Sequence, residues 1–224
     1  MIEGQQDELV STWRGKPGVA TYQPYGTQSV AAWWKETLSK AEFTLVLYVR
    51  GVWCPYCAEH VKQFSKLQER IKSAGGQMIG ITSDGPKGLE DLIKAWKPAF
   101  PFLSDPAHAL RGLLQEQYKV KIAVSGGPGE TKAFYRRHPF ISKYPLGCAQ
   151  PAIVVVTKSG ELLFRWAIDP AVQNLGGATD RPAAADVIGV VEKKRKGGYK
   201  EGVVDAKDLG VVGSIGIFSV CVIV

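Results

Sequence analysis

The chain has 224 residues, 45% of them hydrophobic and 22% charged, which supports one well-packed core with length left for tails or an insertion and excludes a wholly disordered polypeptide. The net charge of +7 comes from scattered lysines and arginines; the short run Lys193-Lys194-Arg195-Lys196 suits a solvated helix end, and no basic face with aromatic or groove-reading elements points to nucleic acid. Met1 to Glu8 is acidic and lacks an apolar run, so it reads as neither a secretory nor a transit segment, and four cysteines in a chain of this length read as reactive or metal-binding rather than as a disulfide framework; a reducing, cytoplasmic setting is the expectation.

Residues 1–26 carry Gly and Pro at intervals without a sustained period and read as an N-terminal arm. From about Thr27 to Ala41, Val30, Trp33, Trp34 and Leu38 recur at helical spacing. Phe43 to Val49 is a continuous apolar, β-rich run, the pattern of a central strand buried on both faces. A helix follows from Cys54-Pro55, with Val61, Phe64, Leu67 and Ile71 on its apolar side and Gly75-Gly76 as its stop. Met78–Thr82 reads as a second strand, Leu89, Leu92, Ile93 and Trp96 as a helix face, and Phe100–Leu103 as a short extended piece. Asp105-Pro106 then opens a helix to about Gln117. The segment 121–149 has little period and reads as an insertion. Ala152–Thr157 and Glu161–Trp166, joined by Lys158-Ser-Gly160, read as a hairpin, and a last helix starts near Asp180-Arg-Pro182. Alternating strands and helices followed by a hairpin predict an α/β fold whose central mixed β-sheet is flanked by helices. The expected domain spans 27–200, with 201–224 as an apolar tail.

The segment that carries chemistry is Arg50-Gly-Val-Trp-Cys-Pro-Tyr-Cys57, placed where a strand turns into a helix. Cys54 is expected at the helix N-terminus, where unpaired N–H groups favour thiolate and bring cysteine pKa values down to ~3.5–7.5 from ~8.5. Cys57, one turn on, is expected behind it within reach of a disulfide, leaving Cys54 as the exposed, activated sulfur. A zinc half-site built from Cys54, Cys57 and His60 is the competing reading. It needs a fourth ligand from the single candidates His108, His138, Cys148 and Cys221, and the redox reading is preferred, with no metal. His60, which follows Glu59 on the dithiol helix, reads as a surface residue that would raise thiolate character if protonated, and Cys148 as a small buried hydrophobe or an alternative resolving thiol. Without a Gly-rich phosphate loop beside a strand, no flavin or nucleotide cofactor is expected.

Together with Ile79-Gly-Ile-Thr-Ser-Asp84 and Phe102-Leu-Ser-Asp-Pro106, the dithiol segment resembles the peroxiredoxin-like branch of the alkyl hydroperoxide reductase/thiol-specific antioxidant (AhpC/TSA) family, over about Phe43 to Trp166. The resemblance implies a thioredoxin-like fold, Cys54 as the peroxide-attacking cysteine, and Gln150-Pro151 as the cis-proline position facing the dithiol. Trp53 and Tyr56, with Gln150 and Pro151, would form the rim that a substrate or partner meets. Two departures stand out. Members similar to this chain carry Thr or Ser three residues before the attacking Cys, where Gly51 stands here. Many also place an Arg just before the later strand, near Pro151, where none stands here; Arg50 or Arg165 would substitute by reaching the site.

These features imply a thiol-dependent antioxidant oxidoreductase that reduces peroxides through Cys54, with Cys57 resolving the product and a thioredoxin- or glutathione-type donor restoring the dithiol. The alternatives are a thiol-disulfide reductase with little peroxidase activity and a redox-gated binding module. The tail from Leu209 is uncharged and ends Cys221-Val-Ile-Val224, the spelling of a prenylation site with an unusual last residue. As a helix it would reach about 24 Å, short of a ~30 Å bilayer core, so membrane association is expected only if Cys221 is prenylated.

Overall fold

A computed structural model describes residues 29–128 and 139–197, together with the backbone of three two-residue strands outside them. The arm 1–26, the tail 201–224 with Cys221, and residues 129–138 with His138 lie outside the described residues apart from those strands.

The elements in chain order are β1 (Ser11–Thr12), β2 (Gln23–Pro24), α1 (Val30–Ser39), β3 (Phe43–Val49), α2 (Pro55–Lys66), α3 (Gln68–Ser73), β4 (Gly76–Thr82), α4 (Pro86–Trp96), β5 (Phe102–Ser104), α5 (Ala109–Tyr118), β6 (Val124–Ser125), β7 (Cys148–Ala149), β8 (Ala152–Thr157), β9 (Leu162–Ala167), α6 (Ala184–Arg195) and β10 (Val204–Asp205). The main sheet runs β10-β9-β8-β3-β4-β5-β1-β2. β3, β4 and β5 are parallel neighbours, β8 lies antiparallel to β3, and β9 returns antiparallel to β8.

β3 is buried along its whole length, as its unbroken apolar run requires. Strand alternation divides it between two cores. Phe43, Leu45, Leu47 and Val49 face α2, α4 and α6, meeting Val61, Phe64, Leu92 and Val187. Val46 and Tyr48 face α1 and α5, meeting Trp33, Trp34, Leu110 and Leu114. The strand whose C-terminal end leads to the dithiol is therefore held from both sides.

Several sequence expectations are corrected. The helix after the dithiol is two helices, broken at Leu67 (φ −98°, ψ 3°). The last helix begins at Ala184; before it, Asp180 takes a left-handed backbone (φ 59°). The Gln150–Pro151 bond is trans, as no cis peptide occurs among the described residues. The trans bond carries the chain extended from β7 into β8, where Ile168 N donates to Pro151 O at 3.0 Å and Tyr48 faces Ala152. Proline has no N–H to contribute, so it fits just ahead of the ladder.

The insertion docks through a separate ribbon in which β6 pairs with β7, Ser125 facing Cys148. Among the described residues no helix is long and apolar enough to cross a membrane.

Candidate active site

Cys54 is the N-cap of α2 and Pro55 its first residue, so Pro55 withdraws an N–H that had no helical partner. The Cys54 sulfur takes the capping role, accepting from Cys57 N at 3.3 Å. Cys57 lies one turn in, and the two side chains are hydrogen-bonded to each other as free thiols.

Both sulfurs are fully buried, so Cys54 is not the exposed sulfur that its place at a helix end predicts. Two guanidiniums are buried with them. Arg50 is 5% exposed; its Nη2 lies 3.2 Å from Cys54 Sγ and its backbone N–H donates to Cys57 Sγ at 3.4 Å. Arg181 is 1% exposed, with Nη1 and Nη2 each 3.4 Å from Cys57 Sγ and Nη2 3.9 Å from Cys54 Sγ. The turn before α6 orients both arginines, Gly176 O accepting from Arg50 Nη1 and Gly177 O from Arg181 Nη2, each at 3.3 Å. Trp53 steadies Arg50 from the side, its ring 5.0 Å from the guanidinium carbon.

These contacts set the charge. Burial opposes ionisation of Cys57, but the hydrogen bond from Cys54, the charges of Arg181 and Arg50 and the Arg50 N–H outweigh it and hold its thiol well below the ordinary cysteine value. Burial, then the hydrogen bond and charge of Cys57, push the Cys54 thiol well up, with Arg50 and Arg181 opposing. The pair acts as a unit holding one thiolate, seated chiefly on Cys57, with Cys54 as its hydrogen-bonded thiol. The expectation that Cys54 holds the lowered pKa is thereby reversed: each sulfur accepts one backbone N–H, but the Arg181 fork closes on Cys57.

The room that a threonine would occupy at position 51 is filled. A Cβ built on Gly51 would run into the Tyr144 hydroxyl and lie 2.8 Å from Trp53 Nε1 and 3.0 Å from Asp84 Oδ2. Tyr144 Oη donates to Asp84 Oδ1 at 2.6 Å and accepts from Trp53 Nε1 at 3.0 Å. Thr82 Oγ1 donates to Asp84 Oδ2 at 2.8 Å. The insertion thus closes this side of the site through Tyr144, while Phe140 stacks on Trp53 with centroids 5.4 Å apart.

The other predicted residues divide. Trp53 and Tyr56 are half-buried beside the core cluster that contains the two cysteines. Gln150 is fully buried, its Nε2 reaching Cys148 O at 3.4 Å and its Oε1 without a partner, 2.6 Å from where a Gly177 Cβ would stand. Pro151 is buried at the start of β8. His60 is not a surface residue: it is fully buried, its Nε2 3.1 Å from Pro182 O and its ring against Phe64. Arg165 does not substitute at the site; its Nη1 donates to Tyr118 O. Among the described residues no three His, Cys, Asp or Glu side chains gather as a metal would require. Arg181 and Tyr144 were missed. Arg181 had one signal, being the only basic residue between Arg165 and Lys193.

The sequence profile of the AhpC/TSA family matches residues 30–164, more than half of the chain and all of the strand–dithiol–helix unit. The chain belongs to the AhpC/TSA family. Family membership makes it a thiol-dependent oxidoreductase of the thiol peroxidase type. Its thioredoxin-like fold is shared with the bacterioferritin comigratory protein of Xanthomonas campestris, studied for its alkyl peroxide reduction, at 14% identity and TM-score 0.51 over 88% of this chain and 94% of that one. AhpC of Enterococcus faecalis gives 12% identity and TM-score 0.53 over 88% and 94%. AhpC of Mycobacterium tuberculosis gives 16% identity and TM-score 0.50 over 85% and 89%. No curated protein sequence matches the chain. The AhpC/TSA family uses peroxide as substrate and a thiol as reductant in general.

Proposed function

We propose that this AhpC/TSA chain reduces peroxides with Cys54 as attacking sulfur and Cys57 as resolving sulfur. The observation that carries the reading is the burial of two guanidiniums against one dithiol, with Arg50 on Cys54 and Arg181 on Cys57. Cys54 is assigned the attack because it stands at the open end of α2, between half-buried Trp53 and exposed Pro55, whereas Cys57 lies behind it on the Arg50 backbone.

In the resting pair Cys57 holds the charge and serves as base. As Cys54 attacks the distal peroxide oxygen, its proton passes to Cys57, the O–O bond breaks, and Cys54 becomes a sulfenic acid. The alkoxide or hydroxide that leaves takes up a proton, and Cys57 returns to thiolate. The Cys57 thiolate then attacks the Cys54 sulfur and forms the disulfide, and the hydroxide expelled takes a proton from solvent and leaves as water. The nearby guanidiniums stabilise negative charge as it moves from sulfur to the leaving oxygen. A thioredoxin- or glutathione-type thiol restores the dithiol by exchange. Both sulfurs are covered, so a peroxide reaches Cys54 only when a covering side chain moves aside.

Residues 27–200 then act as one redox domain in which the 121–149 insertion walls the site, with 1–26 and 201–224 as arm and tail. A cytoplasmic location suits a dithiol that must be kept reduced between turnovers.

A second reading is favoured by Gly51. With no hydroxyl of its own to hold a peroxide, the site would exchange with disulfides more readily than it reduces peroxide. Stopped-flow Trp fluorescence separates the two, because Trp53 contacts Arg50. Rapid oxidation by peroxide, lost in Cys54→Ser, supports the peroxidase. Fast reaction with an oxidised dithiol and a slow response to peroxide supports the reductase.

A further inference from the structure

Arg50 touches three sulfurs, not two. Its Nη2 is 3.2 Å from Cys54 Sγ, its N–H donates to Cys57 Sγ at 3.4 Å, and its carbonyl accepts from the Cys148 thiol at 3.0 Å. The N and O of one residue are joined by only about 4 Å of bond path, so Cys57 and Cys148 are held on the two polar atoms of a single residue. Cys148 is fully buried, and the mechanism above leaves it unused.

The element that carries Cys148 is a short ribbon: β6 and β7 pair through Val124–Ala149 and Ser125–Cys148, with Ala149 N also donating to Ser83 Oγ at 2.9 Å and Gln150 N to Ala123 O at 2.8 Å. Gly147, immediately before Cys148, has φ 88°, a conformation that favours glycine and lets the ribbon turn beside the sulfur.

We propose that Cys148 is a third redox thiol, which takes over the disulfide first formed between Cys54 and Cys57. The inference rests on the redox reading of that dithiol. Cys148 sulfur attacks Cys57 Sγ; the Cys57–Cys54 bond breaks as the Cys57–Cys148 bond forms, and the proton lost by Cys148 ends on the released Cys54. No oxidant or reductant is consumed. Cys54 is returned reduced beside Arg50, able to meet a second oxidant, and the disulfide now joins α2 to the ribbon at the base of the insertion. Charge favours the order of events. Burial, Asp84 and the Cys57 charge hold the Cys148 thiol well up against the pull of Arg50, and forming the first disulfide removes the Cys57 charge.

Peptide mapping tests the relay. Trypsin leaves Cys54 and Cys57 in one peptide, Gly51 to Lys62, and Cys148 in another, Tyr144 to Lys158. Reduced full-length protein is mixed with one equivalent of hydrogen peroxide or of an oxidised dithiol, alkylated at intervals and digested. The expected result is an internal Cys54–Cys57 disulfide first, then the two peptides joined through Cys57 with Cys54 alkylated. The joined form should reach about a tenth or more of the oxidised chains, the share for two disulfides within about 30 mV of each other. In Cys57→Ser the joined peptides should be absent. Cys148 staying fully alkylatable while the Cys54–Cys57 disulfide accumulates would overturn the proposal. A Cys54–Cys148 link in Cys57→Ser would overturn the choice of Cys57 as the sulfur attacked. If neither oxidant produces a Cys54–Cys57 disulfide, the dithiol reading itself fails, and the relay with it.

Discussion

Arg181 reaches Cys57 across 124 residues of sequence, with Nη1 and Nη2 both 3.4 Å from its sulfur. A two-point contact between a buried guanidinium and a thiolate favours the charged form of both, and an opposite charge at this range shifts a pKa by about 1–3 units. Arg181→Gln should therefore raise the thiolate pKa of the dithiol by that amount, read from the pH dependence of absorbance at 240 nm. Arg181→Lys should fall between, because an ammonium keeps the charge and loses the fork. An unchanged titration in Arg181→Gln would mean that Arg50 alone sets the charge.

Restoring the family's hydroxyl at position 51 should fail. Thr in place of Gly51 would drive its Cβ into the Tyr144 hydroxyl and against Trp53 and Asp84. Overpacking of this kind costs about 1–3 kcal/mol. Gly51→Thr should lower the urea midpoint by a matching amount without accelerating peroxide reduction. A variant as stable as the parent and faster with peroxide would show that the space is open.

Most of the scaffold was legible because it is written in local periodicity. Phe43–Val49 announced a strand buried on both sides, and Cys54-Pro55 announced a helix start. The strand–turn–helix unit around the dithiol follows from those two segments. What escaped depends on distant pieces of chain meeting. Arg181 sits in a Gly- and Pro-rich turn with no period, and only the fold of 169–183 brings it to Cys57. Tyr144 lies in the stretch with the weakest pattern. The exposure of Cys54 was misjudged for the same reason: a helix N-terminus is a local feature, whereas its covering belongs to tertiary structure. The cis bond expected at Pro151 rested on the resemblance alone, with no local pattern behind it, and the bond is trans.

His60 ties the dithiol helix to the Arg181 turn, and its titration should be visible in stability. Burial, then the Arg181 charge, lower its pKa from 6.5 to about 3. Above pH 6.5 the folded and unfolded states are both neutral there. Between pH 6.5 and about 3 the unfolded chain binds a proton that the folded chain does not, so stability falls as pH falls, by up to a few kcal/mol. Asp105, raised to about 7 chiefly by burial, acts in the opposite sense over part of this window, so the difference between variants is the quantity to measure. His60→Phe should be less stable above pH 6.5 through loss of the contact with Pro182 O, and the deficit should shrink steadily toward pH 3. A constant deficit would place the ring in contact with solvent.

Tyr144→Phe removes the donor to Asp84 and the acceptor for Trp53. Burial already raises the Asp84 carboxyl, with the Tyr144 and Thr82 hydrogen bonds opposing, so losing Tyr144 should push it further up. The expected cost is about 1–3 kcal/mol, with a change in Trp53 fluorescence. A variant with unchanged stability and spectrum would mean that water replaces the hydroxyl.

The division of labour between the two sulfurs is tested most directly by trapping the first oxidation product. Cys57→Ser and Cys54→Ser proteins are treated with one equivalent of peroxide in the presence of a sulfenic-acid trap, followed by intact-mass and peptide analysis. The predicted result is a single adduct on Cys54 in Cys57→Ser and none in Cys54→Ser. An adduct on Cys57 in Cys54→Ser, with Cys57→Ser inert, would contradict the account and make Cys57 the attacking sulfur.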